Sequence, residues 1–113
     1  MHLYVYGTLK SGFALNRYLK DQKFIGEAST IPGYILYDLG WFPGMKKKGN
    51  QSVRGELWEV DNFDRLDIVE GSAFRRSPIK LQSPYENIDA QTYLYTGRDV
   101  KDCDTSLFWG KNV

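Results

Sequence analysis

Leu3-Tyr4-Val5-Tyr6-Gly7-Thr8-Leu9-Lys10-Ser11-Gly12 is the stretch on which the fold turns. Four β-formers run straight into a glycine, and a second glycine, Gly12, frees the backbone again before the next apolar run. The pattern predicts a strand over 3–6 and then a tight turn. Phe13, Ala14, Leu15, Tyr18 and Leu19 follow at a spacing that suits a helix of about two turns over 13–20. Further strands are expected over 23–30 and 33–38, parted by the Ile31-Pro32-Gly33 turn. Gly40, Pro43, Gly44, Gly49 and Asn50 make 39–51 read as a loop. The run 52–60 reads as a strand interrupted by Gly55, which signals a bulge or a close backbone approach.

The segment 61–71 has the clearest helical marks. Asp61 suits the N-cap, Asp64 lies in the first turn where the helix dipole favours a negative charge, and Gly71 suits the position just past the end. Strands over 74–82 and 90–96 complete about six strands and two short helices, mostly joined by turns rather than helical crossovers. The expected fold is α+β: a small β-barrel of mixed or antiparallel strands flanked by short helices. The 113 residues suit a single domain over 1–113, with 97–113 a tail that is either docked or partly mobile.

Composition excludes several classes of function. Fifteen basic and 14 acidic residues leave a net charge of +1, with no drive toward nucleic acid or anionic membrane. No apolar run approaches the ~20 residues of a membrane span, and the N-terminal residues show no signal pattern. The expected location is the cytoplasm. Cys103 is the only cysteine and His2 the only histidine. An intrachain disulfide is impossible and a Cys/His zinc site lacks ligands; a Cys–His dyad would have to join two terminal segments about a hundred residues apart, and a Ser-His-Asp triad would need His2 as its base, which disfavours both. No metal or cofactor is expected.

Glu70 is the informative residue. On a wheel of 100° per residue with Phe63 at zero, Leu66 falls near 300° and Glu70 near 340°. A carboxylate thus sits inside the apolar stripe, at the last helical position, where the dipole also disfavours negative charge. Such a group either finds a partner or takes up protons more readily, which is the profile of a general base. The alternative is a structural carboxylate paired with Arg75 or Arg76. Glu56 is the runner-up base, with Glu59 a further rival; strand alternation sends them to opposite faces and neither clearly inward. The Gly7–Gly12 turn offers successive N–H groups that suit an anion, though strand–glycine turns are common and a plain tight turn accounts for the motif by itself. Lys46-Lys47-Lys48 reads as a solvated stretch of the 39–51 loop, and Trp58 and Trp109 as core or tail anchors.

Together these residues resemble the gamma-glutamyl cyclotransferase-like family, and especially its small gamma-glutamylamine cyclotransferase branch. The resemblance lies in Val5-Tyr6-Gly7-Thr8-Leu9-Lys10 with Gly12 and Asn16, in Gly33, and in Asp38-Leu39-Gly40 with Pro43-Gly44. It continues through Val53-x-Gly55-Glu56-Leu57, Leu66-Asp67-x-x-Glu70-Gly71, Phe74-Arg75-Arg76 and Tyr93-x-Tyr95. It implies a small barrel, a substrate-binding loop at Tyr6, Gly7, Thr8 and Leu9, and Glu70 as catalytic acid/base. It implies a small-molecule gamma-glutamyl substrate, ring closure by the α-amine on the γ-carbonyl, and release of 5-oxoproline without a cofactor. Phe74 stands where the family often has tyrosine, which bears on substrate choice. The competing expectations are a non-catalytic module that binds such a molecule and a partner-binding domain built on the aromatic surface. Oligomeric state and the leaving amine are open.

Overall fold

The computed structural model describes residues 1–40 and 42–98. Seven strands, a short 3₁₀ segment and one α-helix run in the order β1 (His2–Val5), the 3₁₀ segment (Asn16–Leu19), β2 (Lys23–Ser29), β3 (Tyr34–Asp38), β4 (Pro43–Gln51), β5 (Arg54–Glu59), α1 (Asp64–Glu70), β6 (Phe74–Ile79) and β7 (Ala90–Tyr95). Five strands form one mixed sheet in the order β2-β5-β1-β7-β6, and β3 and β4 form a separate hairpin. β1 lies in the middle, antiparallel to β5 and parallel to β7.

That central place explains the uninterrupted apolar run of β1. Tyr4 and Tyr6 face one core with Leu36, Met45, Val53 and Leu57. Leu3 and Val5 face a second with Trp58, Val60, Phe63 and Leu66. A strand covered on both faces has no solvated side on which to place polar residues. Beyond the two sheet edges the chain meets again. Thr30 and Leu81 form an isolated bridge, Ile31 N–H donates to the Lys80 carbonyl at 3.2 Å, and Gln82 N–H donates to that of Ser29 at 2.8 Å. The sheet is therefore barrel-like and distorted rather than a closed barrel.

Gly55 marks a close approach, as its place in a strand signals. A Cβ there would collide with the Val5 carbonyl and come within 2.8 Å of the Tyr4 ring. The register irregularity of this part of the sheet lies instead in β2, between Phe24 and Gly26.

Three local expectations are corrected. The 13–20 segment is helical only as the four-residue 3₁₀ turn Asn16–Leu19. Around it, N–H groups bond three residues back, as from Phe13 to Lys10, Asn16 to Phe13 and Tyr18 to Leu15, while Leu15 N–H is taken by the Thr8 carbonyl. These bonds wind the segment too tightly for an α-helix. Pro43–Gln51 is a strand, not a loop. It pairs with β3 in the register Asp38↔Pro43 to Ile35↔Lys46, and this pairing overrides its turn-rich composition. Lys46 is accordingly half-buried: its Nζ donates to the Gly97 carbonyl at 2.6 Å, whereas Lys47 and Lys48 are exposed. Asp61 does not cap α1. The cap position is Phe63, with no side-chain cap, and Asn62 Oδ1 just before it accepts the Asp64 N–H at 3.1 Å. The expected tail falls largely in 99–113, outside the described residues, as do Cys103 and Trp109.

Candidate active site

α1 is short, and its two faces differ sharply. Phe63 and Leu66 are 5% and 4% exposed, whereas Ile68 is 80% exposed. Glu70 closes the helix, and Gly71, at φ 79° and ψ −171°, turns the chain back toward β6 in a conformation that side chains resist. The inward stripe thus ends on a carboxylate, as the wheel predicts. Burial pushes the Glu70 carboxyl up from its ordinary 4.5 to about 7. Among the described residues it makes no hydrogen bond or ion pair. The candidate partner Arg76 is engaged elsewhere: its Nε lies 3.1 Å from Asp67 Oδ1.

Glu70 lines a small cleft together with Gly7, Thr8 and Leu9. The turn after β1 and the end of α1 therefore share one cavity, although Glu70 and Gly7 lie more than sixty residues apart in sequence. The turn is held from behind by its carbonyls: Gly7 accepts from Lys10 N–H at 3.0 Å, Thr8 from Leu15 N–H at 2.9 Å and Leu9 from Asn16 Nδ2 at 3.0 Å. The N–H groups of Gly7, Thr8 and Leu9 find no acceptor among the described residues. A side chain at Gly7 would press on Pro43, with a Cβ 3.1 Å from its Cγ.

Tyr6 also borders the cleft, but its hydroxyl is occupied. It donates to the Tyr93 carbonyl at 2.6 Å and accepts from Met45 N–H at 3.0 Å. Burial raises its proton affinity well above the ordinary tyrosine range. The side chain ties β4 and β7 to the end of β1, and its hydroxyl is spent on those two bonds. Tyr6→Phe strands a buried carbonyl and a buried N–H. Urea unfolding is expected to show a loss of about 2 kcal/mol.

Glu56 lies outside the cleft. Its Oε1 accepts from Ser11 N–H at 2.9 Å, Ser11 Oγ at 3.2 Å and Trp58 Nε1 at 3.1 Å, which makes it a clamp on the loop after the turn. Glu59 is exposed. Tyr93 is a wall of the cleft to which the sequence assigned no role. Its place on alternate positions of β7 with Tyr95 marks a face, but only pairing with β1 and β6 carries that face to Glu70. Phe42, Pro43 and Phe74 form the apolar side. The Phe74 ring lies 6.1 Å from that of Phe42 and 5.8 Å from that of Tyr95. Among the described residues no three His, Cys, Asp or Glu side chains gather as a metal-holding group, and no helix is long and apolar enough to cross a membrane.

Known proteins share this arrangement of the chain. Residues 3–109 match the family model described as gamma-glutamyl cyclotransferase, AIG2-like. A Vibrio cholerae serotype O1 relative is 37% identical over 95 residues, covering 82% of this chain and 80% of its own. Gamma-glutamylaminecyclotransferase of Rattus norvegicus is 30% identical over 95 residues, covering 72% of this chain and 63% of its own. The crystal structure of PH0828 from Pyrococcus horikoshii superposes with a TM-score of 0.80 at 29% identity, over 94% of this chain and 86% of that one. With its mixed sheet and the match along most of its length, the chain belongs to the gamma-glutamyl cyclotransferase, AIG2-like family.

Proposed function

We propose that the protein cleaves a gamma-glutamyl amine or gamma-glutamyl amino acid by intramolecular cyclisation, releasing 5-oxoproline and the free amine, with Glu70 as the proton carrier. The observation that carries this reading is a largely buried carboxylate, without a hydrogen bond or ion pair among the described residues, in the same cleft as the Gly7–Leu9 turn, whose backbone N–H groups find no acceptor among those residues. The Glu70 carboxylate takes a proton from the substrate α-ammonium, and the amine so formed attacks its own γ-carbonyl carbon. The new C–N bond closes a five-membered ring and pushes the carbonyl electrons onto oxygen. The N–H groups of Gly7 to Leu9 hold the α-carboxylate or this oxyanion. Glu70 returns its proton to the departing nitrogen as the old C–N bond breaks. It then takes the second proton from the ring nitrogen and passes it to the amine, which leaves as an ammonium.

The substrate supplies the nucleophile, so no Ser, Cys or cofactor need attack. Holding the folded conformer contributes several kcal/mol, and one positioned base about 10²- to 10⁴-fold. Phe74 presents an apolar ring in place of a hydroxyl and bears on which amine portion fits.

The test is a panel of gamma-glutamyl amines and amino acids assayed for 5-oxoproline. Turnover lost in Glu70→Gln and kept in Glu56→Gln supports the reading. Thermal stabilisation by 5-oxoproline with no turnover of any panel member indicates a binding module instead. For the active enzyme, kcat/KM is expected to rise with pH through a midpoint near 7, as Glu70 gives up its resting proton. A profile flat from pH 5 to 9 would remove Glu70 from the role of base.

A further inference from the structure

Tyr93 is held at both ends. Its backbone carbonyl accepts the Tyr6 hydroxyl at 2.6 Å, and its own hydroxyl donates to Asp67 Oδ1 at 2.6 Å. The same Asp67 oxygen faces Arg76 Nε at 3.1 Å, and the Arg76 guanidinium lies over the Phe63 ring, 4.4 Å from its centroid. Asp67 precedes Glu70 by three residues, so the two carboxylates lie on neighbouring positions of one helix face. The chain Arg76–Asp67–Tyr93 therefore runs from β6 across α1 to the wall of the cleft. We propose that Asp67 is a positioning residue for the reaction: it fixes the Tyr93 ring against the substrate, while Arg76 cancels its charge one helical turn from Glu70.

The inference rests on the reading of Glu70 as proton carrier and adds what holds that group's surroundings. Tyr6 from the end of β1 and Tyr93 from β7 face Glu70; burial pushes both hydroxyls up, and the Glu70 carboxylate adds to it. Phe74 from β6 contributes an apolar surface, and the charged groups of this neighbourhood are Asp67 on α1 and Arg76 on β6. A second carboxylate near Glu70 would hold its proton more tightly. Pairing with Arg76 lets Asp67 serve as a hydrogen-bond acceptor without that cost.

Two measurements test this, one of them independent of turnover. In the ligand-free protein the Glu70 carboxyl is titrated by carbon-13 NMR. Arg76→Gln is expected to raise the midpoint by about 0.5 pH unit, and adding Asp67→Asn to bring it back. In turnover, Asp67→Ala is expected to raise KM about tenfold, because Tyr93 loses its anchor. Asp67→Asn keeps an acceptor for the Tyr93 hydroxyl and restores KM to within about threefold. A purely structural Asp67 would lower the melting temperature without moving the Glu70 midpoint. An unmoved midpoint in Arg76→Gln, or a wild-type KM in Asp67→Ala, overturns the proposal. If no panel substrate turns over, the activity reading fails, while the NMR midpoint still decides the charge compensation.

Discussion

Glu70→Gln is expected to lower kcat about 10³-fold and, at pH 8, to make the protein more stable. On the reading of Glu70 as proton carrier, the first effect follows from removing the group that takes and returns the proton; glutamine is close in shape and can do neither. The second follows from linkage. Burial sets the Glu70 carboxyl at about 7, against 4.5 for an ordinary glutamate. Between those values the folded state binds the proton that the unfolded state has released. Stability therefore falls as pH rises from 4.5 through 7, and the full cost is present above 7. At 1.36 kcal/mol per pH unit the difference is at most about 3 kcal/mol. Melting of the two proteins across pH should show the glutamine variant ahead by about 1 to 3 kcal/mol at pH 8, an advantage that shrinks to nothing near pH 4. Equal melting curves at pH 8 and pH 4 would show that the carboxylate is solvated after all.

The largest loss of stability is expected at Gly55. A methyl group there points at the Val5 carbonyl and the Tyr4 ring, both in the central strand. Neither can yield: the Tyr4 hydroxyl donates to the Val53 carbonyl at 2.5 Å, and its own carbonyl accepts from Thr92 Oγ1 at 2.9 Å. Relief requires β5 to move off β1, which breaks a ladder running from His2↔Glu59 to Val5↔Glu56. Gly55→Ala is expected to cost about 3 kcal/mol or more. Gly71→Ala meets no atom within 4 Å and is opposed only by its backbone angles. It is expected to cost about 2 kcal/mol. Urea unfolding followed by tryptophan fluorescence ranks the two, and a reversed order would refute the steric account of Gly55.

Periodic, local features were legible in the chain. The inward angle of Glu70 follows from 100° per residue, and the helix keeps that rule to its last residue. β1 shows itself as a run of β-formers ending at a glycine, and Gly55 as a glycine out of place in a strand. Where neighbours in space compete with neighbours in sequence, reading fails. Pro43–Gln51 has the residues of a loop, yet β3 offers it a partner and it extends. The 13–20 segment has the apolar spacing of a helix, yet Thr8, Leu9 and the Lys10 carbonyl take its donors and wind it as 3₁₀.

The sequence alone determined most of the elements, the kind of fold and the one carboxylate that could not be comfortable in a core, because these follow from periods of two and 3.6 residues and from the cost of burying charge. Tertiary structure decided that this carboxylate meets the Gly7–Leu9 turn, that Arg76 pairs with Asp67 instead of Glu70, and that Tyr93 walls the cleft. Those contacts join residues up to 87 positions apart, as between Tyr6 and Tyr93. They are set by which strands pair, a choice that no local pattern encodes.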